Sequence, residues 1–362
     1  MADDALDAME KPIVDAALAL ELASRLYGFA GGAITEMVGY DDKNFWLRPS
    51  DVTDNPNVKS VAPDGYTLKV TNSLDSRNQD FIDGQNRLLA FLAENGVKCP
   101  RPVRNKQGNM HSMEHLREDG PGHAVRLLEF VPGNILGKVP WQRSFPLHVG
   151  RELAKITNLM DEIDIPGIKC RTTEWSLWEA PAVMKHLEHV KDPVRKIIVE
   201  EVLVAFQRDT EAHKEALQEE SGLIHGDYNQ YNIVVQRAAE AGEWAVAGVL
   251  DLGDCHWAPR LFDVALAGAY MGITSGDLDA VGQVLQGYSE HRPVPAHWVS
   301  LLKVCVCARL CQSLVLGLQS HAMDPQNTYV LDSQENGWPL LQTLWRMPHG
   351  SIEQQWQEKI KS

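Results

Sequence analysis

One stretch constrains this chain more than any other: His225-Gly226-Asp227-Tyr228-Asn229-Gln230-Tyr231-Asn232, running into the apolar Ile233-Val234-Val235. After one more strand-like segment comes Val249-Leu250-Asp251-Leu252-Gly253-Asp254. An aspartate heading a loop can take or orient the proton of an attacking hydroxyl, which makes Asp227 the candidate base. An amide oxygen and a second carboxylate, Asn232 and Asp251, are hard oxygen donors suited to a magnesium ion that bridges nucleotide phosphates. Gly226 and Gly253 permit sharp turns beside bulky phosphates. Two readings stand: a phosphoryl-transfer site, or an Asx-rich turn between strands. The two halves occur in order, each flanked by an apolar strand, and this favours the first.

The 362 residues allow two lobes with sizeable cores, and 44% hydrophobic content is that of a soluble globular protein. A net charge of −15 argues against nucleic acid or an anionic membrane as partner and favours a cationic substrate. The six cysteines are sparse, and Cys305, Cys307 and Cys311 crowd one helix, as expected of reduced thiols packed as small apolar groups in a cytoplasmic protein. The acidic N-terminus has the layout of neither a signal nor a transit peptide. The most apolar stretch, Val304 to Leu318, contains Arg309 and is short for a membrane span.

In order along the chain, a helix is expected over Lys11 to Tyr27, then strands over Ile34–Val38 and Asn44–Leu47. The tip between them, Gly39-Tyr40-Asp41-Asp42-Lys43, either covers phosphates with backbone N–H groups or is a plain hairpin turn. Lys69 lies on the next strand, Gly65 to Val70, and is either a phosphate-binding lysine or a solvated one. Phe81 to Asn95 reads as a helix. His111-Ser112-Met113-Glu114-His115 matches the zinc-protease pattern H-x-x-E-H, but its flanks are those of a hairpin, so a strand is expected. Ala124 to Val131 reads as a strand running into Pro132-Gly133. Helices are expected over Pro146–Met160, within Thr173–His189, and over Val194–Gln218, Pro259–Met271, Val281–Ser289, Ala296–Leu318 and Trp338–Lys361.

With these motifs in order from about residue 35 to 320, the chain resembles the aminoglycoside phosphotransferase family. The carriers are His225-Gly226-Asp227 with Asn232, Asp251-Leu252-Gly253-Asp254, Leu128-Glu129-Phe130-Val131-Pro132-Gly133, and Lys69. The resemblance implies an α+β, protein-kinase-like fold of two lobes. Residues 1–131 would form an antiparallel-sheet N-lobe binding nucleotide, and 132–362 a mainly helical C-lobe with the catalytic loops and acceptor pocket. It implies Asp227 as base, Asn232 and Asp251 as Mg2+ ligands, and His225 and Asp263 as supports of the catalytic loop. Lys69, Asn44, Tyr40, Glu129, Phe130 and Val131 would contact the nucleotide. The glutamate that ordinarily pairs with the strand lysine falls at Gln85.

Within the family, Gly39 to Phe45, Gly226 to Asn232 and Ala269-Tyr270-Met271 resemble the branch that phosphorylates 5-hydroxy-L-lysine at its 5-hydroxyl, with GTP (or ATP) as donor, in cytoplasmic lysine degradation. Asp254, Glu174 and Glu179 are candidate partners for ammonium groups, and Trp175, Trp178 and Trp257 candidate walls. Arg309 would meet a substrate carboxylate or pair with a structural acid. The alternatives are another acceptor (homoserine, choline, ethanolamine or an aminoglycoside), or a pseudokinase binding module, against which the intact Lys69, Asp227, Asn232 and Asp251 argue. A monomer or weak dimer is expected.

Overall fold

The computed structural model describes residues 9–29, 31–39, 41–50, 53–237, 243–348 and 350–361. The chain forms two compact units: Met1–Pro132 with Ile165–Ile168 and Gly248–Leu250, and Gly133–Asp164 with Lys169–Ala247 and Asp251–Ser362.

The first unit contains α1 (Ala16–Tyr27), β1 (Gly32–Met37), β2 (Lys43–Pro49), β3 (Tyr66–Val70), α2 (Ser73–Ser76), α3 (Gln79–Glu94), β4 (Pro102–Val103), β5 (Ser112–His115) and β6 (Gly122–Glu129). Its sheet runs β1-β2-β3-β6-β4, with β5 also on β6, and the pairs are antiparallel. Alternation divides the two faces. Phe45, Leu47, Leu68, Val70, Val125 and Leu127 are buried in one core with Leu22, Ala23 and Tyr27 of α1. The residues between them, Asn44, Lys69 and Arg126, are register partners in one row across β2, β3 and β6. Helix α1 starts at Ala16, later than the sequence suggests, because the Asp15 side chain caps it by accepting from Leu18 N at 2.9 Å. The H-x-x-E-H segment is strand β5, as its flanks implied. His111 lies 3.1 Å from Asp83, and His115 Nδ1 is 3.0 Å from Gly120 O, so the two rings do not converge on a zinc ion.

The second unit contains β7 (Asn134–Ile135), α4 (Phe145–Met160), α5 (Pro166–Lys169, counted with the first unit as far as Ile168), α6 (Pro193–Ala212), α7 (Lys214–Glu219), β8 (Ser221–Ile224), β9 (Ile233–Arg237), β10 (Trp244–Val249, counted with the first unit from Gly248), β11 (His256–Pro259), α8 (Arg260–Ser275), α9 (Asp279–Ser289), α10 (Ala296–Met323), α11 (Gln334–Arg346) and α12 (Ser351–Lys361). Strands pair as β10-β9-β7 and β11-β8. Helix α10 packs on α6, α8 and α11, and Cys305, Cys307 and Cys311 are fully buried within it. It is 28 residues long, so length and apolarity alone would let it cross a bilayer; nearly all of its apolar stretch is buried in the unit.

Three expected helices differ. Leu177–His189 is wound as a 3-10 segment with Pro181 inside it, where a proline removes a backbone donor. The helix expected over Val194–Gln218 breaks at His213 into α6 and α7. The expected C-terminal helix is two helices, α11 and α12, separated around Pro348, which cannot donate to a continuing helix.

Candidate active site

The loop between β8 and β9 is built from its own polar side chains. Gly226 has φ +78°, and a Cβ there would lie 2.1 Å from Asp254 O, so glycine is required twice over. Asp263, in the first turn of α8 and 2% exposed, accepts from His225 N at 2.7 Å and Gly226 N at 2.9 Å. His225 Nδ1 accepts from Asp227 N at 3.2 Å, and its ring sits edge-on to Tyr228. Asn229 Oδ1 accepts from Tyr231 N at 2.7 Å and Asn232 N at 3.2 Å, closing an Asx turn. The two sequence readings are therefore compatible: the turn holds the carboxylate in place.

Asp227 is gripped on both oxygens. Asn229 and Asn232 each donate a side-chain N–H to Oδ2 at 2.8 Å. Arg309 Nη2 donates to Oδ1 at 3.2 Å. Burial pushes the Asp227 carboxyl up to about 7; Asp254 and Asp251 push the same way, and Arg309 and the Asn229 amide oppose. A base whose pKa lies near the working pH is well matched to accepting a hydroxyl proton.

Of the two readings of Arg309, the pairing observed is with an acid of the protein. Arg309 is 1% exposed in the middle of α10 and pairs with Asp227, so the acid it meets is the candidate base itself. Its Nη1 donates to Trp175 O and Gln312 Oε1, both at 2.9 Å. The Gln312 amide in turn donates to Glu174 O at 2.7 Å and Ser176 O at 3.0 Å. Arg309 and Gln312 together tie the 174–176 segment to α10 beside Asp227.

Asp254 accepts from Thr173 Oγ1 at 3.1 Å, and burial raises its carboxyl against the opposing charge of Arg171. Asp251 is exposed, with φ 48°, a left-handed conformation that aspartate tolerates better than most residues. Its Oδ1 accepts from Gly253 N at 2.9 Å. Trp178 stands edge-on to Phe262 at 4.9 Å and is exposed, as is its neighbour Glu179. Trp257, on β11, lies under the Lys169 ammonium at 4.5 Å. Sequence reasoning missed Asp332, which accepts from Tyr231 Oη at 2.7 Å, and Tyr329, whose ring meets Tyr231 at 5.2 Å. Nothing in the local pattern signals a contact spanning about a hundred residues.

In the first unit Lys69 is 8% exposed and its ammonium lies 2.9 Å from Asp42 Oδ2, an acid the motif reading did not assign to it. Gln85 Oε1, at the position expected to hold a glutamate, accepts from Arg126 Nη1 at 2.8 Å. Asn44 is the register partner of Lys69. Tyr40 lies outside the described residues. Glu129 N donates to Arg101 O at 2.8 Å and Phe130 N to Gly65 O at 3.0 Å, so these two donors are already committed and a purine edge could draw only on the other groups from Glu129 to Val131. Phe130 stacks on Trp46 with ring centroids 4.8 Å apart.

The donor set fits a divalent cation. Asn232 turns its amide nitrogen onto Asp227, to the main-chain oxygen at 2.9 Å and to Oδ2 at 2.8 Å, which directs its carbonyl oxygen away from that contact. With the exposed Asp251 carboxylate this makes a hard, oxygen-only pair, as suits an ion that completes its shell with water and phosphate.

An antiparallel sheet with a buried lysine, and a helical unit whose aspartate loop is tied to a buried arginine, are the parts of a kinase-like phosphotransferase that acts on an alcohol group. The profile of the phosphotransferase enzyme family matches residues 46–298, and the chain belongs to that family. It is similar to the hydroxylysine kinase of Xenopus laevis, 29% identical over 364 residues, covering 97% of this chain and 95% of the relative. The homoserine kinase of Janthinobacterium sp. (strain Marseille) is 24% identical over 293 residues, covering 75% of this chain and 84% of the relative. Among solved structures, the microcompartment-associated aminopropanol kinase superposes with a TM-score of 0.69 at 17% identity, covering 92% of this chain and 99% of that one. Amicoumacin kinase hAmiN, in complex with AMP-PNP, Ca2+ and Ami, has a TM-score of 0.64 at 16% identity and covers 94% of both chains. These structures establish the two-lobed α+β fold. The family implies a nucleotide donor, a divalent cation and a small-molecule acceptor.

Proposed function

We propose that the protein transfers the γ-phosphate of GTP to the 5-hydroxyl of 5-hydroxy-L-lysine, in the cytoplasm, as a step of lysine degradation. The observation that carries this reading is the near full-length similarity to hydroxylysine kinases, which spans the sequence of both units. We assign nucleotide binding to the first unit, through Lys69, Asn44 and the stretch from Glu129 to Val131. We assign the base, the cation ligands and acceptor recognition to the second. Asp227 accepts the hydroxyl proton. Asn232 and Asp251 hold Mg2+, which when bound neutralises charge on the phosphates. Asp254 and Glu179 suit the acceptor's ammonium groups, with Trp178 and Trp257 as walls. The protein acts as a monomer or weak dimer.

The test is kcat/KM for 5-hydroxy-L-lysine, homoserine, choline and kanamycin, each with GTP and with ATP. Hydroxylysine is expected to be the best acceptor. Lysine, which lacks the hydroxyl, should not be phosphorylated and should inhibit only weakly, because a site built around a polar group is left with unpaired groups when that group is missing. The similarity to a homoserine kinase favours a shorter hydroxy-amino acid as the second reading. A tenfold advantage for homoserine would replace hydroxylysine while leaving the phosphotransfer chemistry intact.

The metal assignment has its own check. Asn232→Ala should need more magnesium for half-maximal rate and be partly rescued by raising it, whereas Asp251→Ala, which removes a charged ligand, should be rescued less. Wild-type magnesium titrations for both variants would refute the assignment.

A further inference from the structure

The row Asn44–Lys69–Arg126 places two cations directly opposite each other on neighbouring strands. Both are buried, at 8% and 3% exposure. Like charges in that arrangement repel unless each is separately compensated. The compensation here is divided. Arg126 is met by two neutral amides of α3, Gln85 at 2.8 Å and Asn86 at 3.4 Å. Lys69 is met by a full carboxylate, and it comes from the β1–β2 hairpin tip: Asp42 at 2.9 Å.

Asp42 is also held in place. Its Oδ1 accepts from Asn72 N at 2.8 Å and Asn72 Nδ2 at 3.1 Å. Asn72 is itself fixed as the cap of α2, its Oδ1 accepting from Asp75 N at 2.9 Å. The hairpin tip is thus tied to the segment that follows β3, two residues beyond the end of the lysine's strand, and Oδ2 of Asp42 is aimed at the ammonium. A lysine on a flexible stem is oriented by a carboxylate fixed in this way, and a buried ammonium deprived of its partner is strongly disfavoured.

We propose that Asp42 is the positioning residue of the phosphate-binding lysine, doing from the hairpin tip what a glutamate would do from α3, where Gln85 accepts from Arg126. This rests on the reading of Lys69 as a phosphate ligand. It makes nucleotide affinity depend on the β1–β2 tip, so that the segment flanking the phosphates and the lysine that binds them are set by one carboxylate.

The experiment uses the full-length protein, with Asp42→Asn, Asp42→Glu, Lys69→Met and the Asp42→Asn/Lys69→Met pair. It measures GTP, ATP and GDP binding by calorimetry with Mg2+ present, and kcat and KM for both substrates. Glu36→Gln, at an exposed ion pair on the same hairpin, controls for hairpin folding. Asp42→Asn is expected to raise the nucleotide Kd and KM about tenfold while the acceptor KM stays within twofold. Asp42→Glu should recover part of the loss. In the Lys69→Met background Asp42→Asn should cost little more, because its effect passes through the lysine. A merely structural Asp42 would lower stability and amount of active protein without this split between the two KM values. Nucleotide KM unchanged or lowered in Asp42→Asn would overturn the proposal, the lowered value meaning that Asp42 competes with phosphate for Lys69. Lys69→Met binding nucleotide like wild type would overturn it together with the role of Lys69, and wild-type protein that binds no nucleotide would overturn the functional reading as well.

Discussion

Replacing Asp227 by asparagine is expected to cut turnover by about 10²–10⁴-fold, the range over which a positioned general base contributes. Nucleotide affinity should change little, since the substitution leaves Lys69 and its carboxylate partner intact. The asparagine keeps the size of the side chain and one oxygen, so the Asn229 and Asn232 amides, both now on Oδ2, retain an acceptor. It loses the negative charge, and with it both the proton acceptor and the counter-ion of Arg309. Single-turnover rates and nucleotide binding on the same preparation separate the two effects. A variant that keeps more than about a tenth of the wild-type rate would remove Asp227 from the role of base, because losing a general base costs at least about 10²-fold.

The largest effect on stability is expected at Arg309. Arg309→Met preserves much of the side-chain volume but removes a guanidinium that is 1% exposed and donates to Asp227, Trp175 O and Gln312. Removing one partner of a buried ion pair typically costs 3–5 kcal/mol; the Asp227 side chain is 25% exposed, which places this case at the lower end, about 3 kcal/mol. Denaturant unfolding of the helical unit measures it. The effect should be coupled: in the Asp227→Asn background Arg309→Met should cost less, because the carboxylate it would strand is already neutral. Additive losses would mean that Arg309 acts through the 174–176 segment alone. Activity should fall as well, since Arg309 opposes the burial and the like charges that push the Asp227 proton affinity up.

The Asp227 loop was legible because its determinants are local. Asp227, Asn229 and Asn232 lie within six residues and bond to one another, and Gly226 occupies a backbone conformation that marks glycine in any sequence. The strands of the first unit were legible for a similar reason: alternation sends Leu68 and Val70 into the core and Lys69 to the other face. Helix ends were less so. Apolar spacing continues through Val194–Gln218 and Trp338–Lys361, so spacing alone marks neither the break at His213 nor the one around Pro348, where the proline lacks the donor a continuing helix needs.

The sequence by itself therefore determined the class of chemistry and the two-part build, because loop spacing, turn glycines and strand alternation are properties of neighbours along the chain. Tertiary structure alone decided the partners of the charged groups. Arg309 reaches Asp227 across 82 positions, Asp332 reaches Tyr231 across 101, and Lys69 takes its carboxylate from Asp42 on the hairpin tip instead of relying on an acid at position 85 of α3. Such pairings leave no periodic trace, since a buried charge needs a counter-charge nearby in space and any segment that the fold brings within reach can supply it.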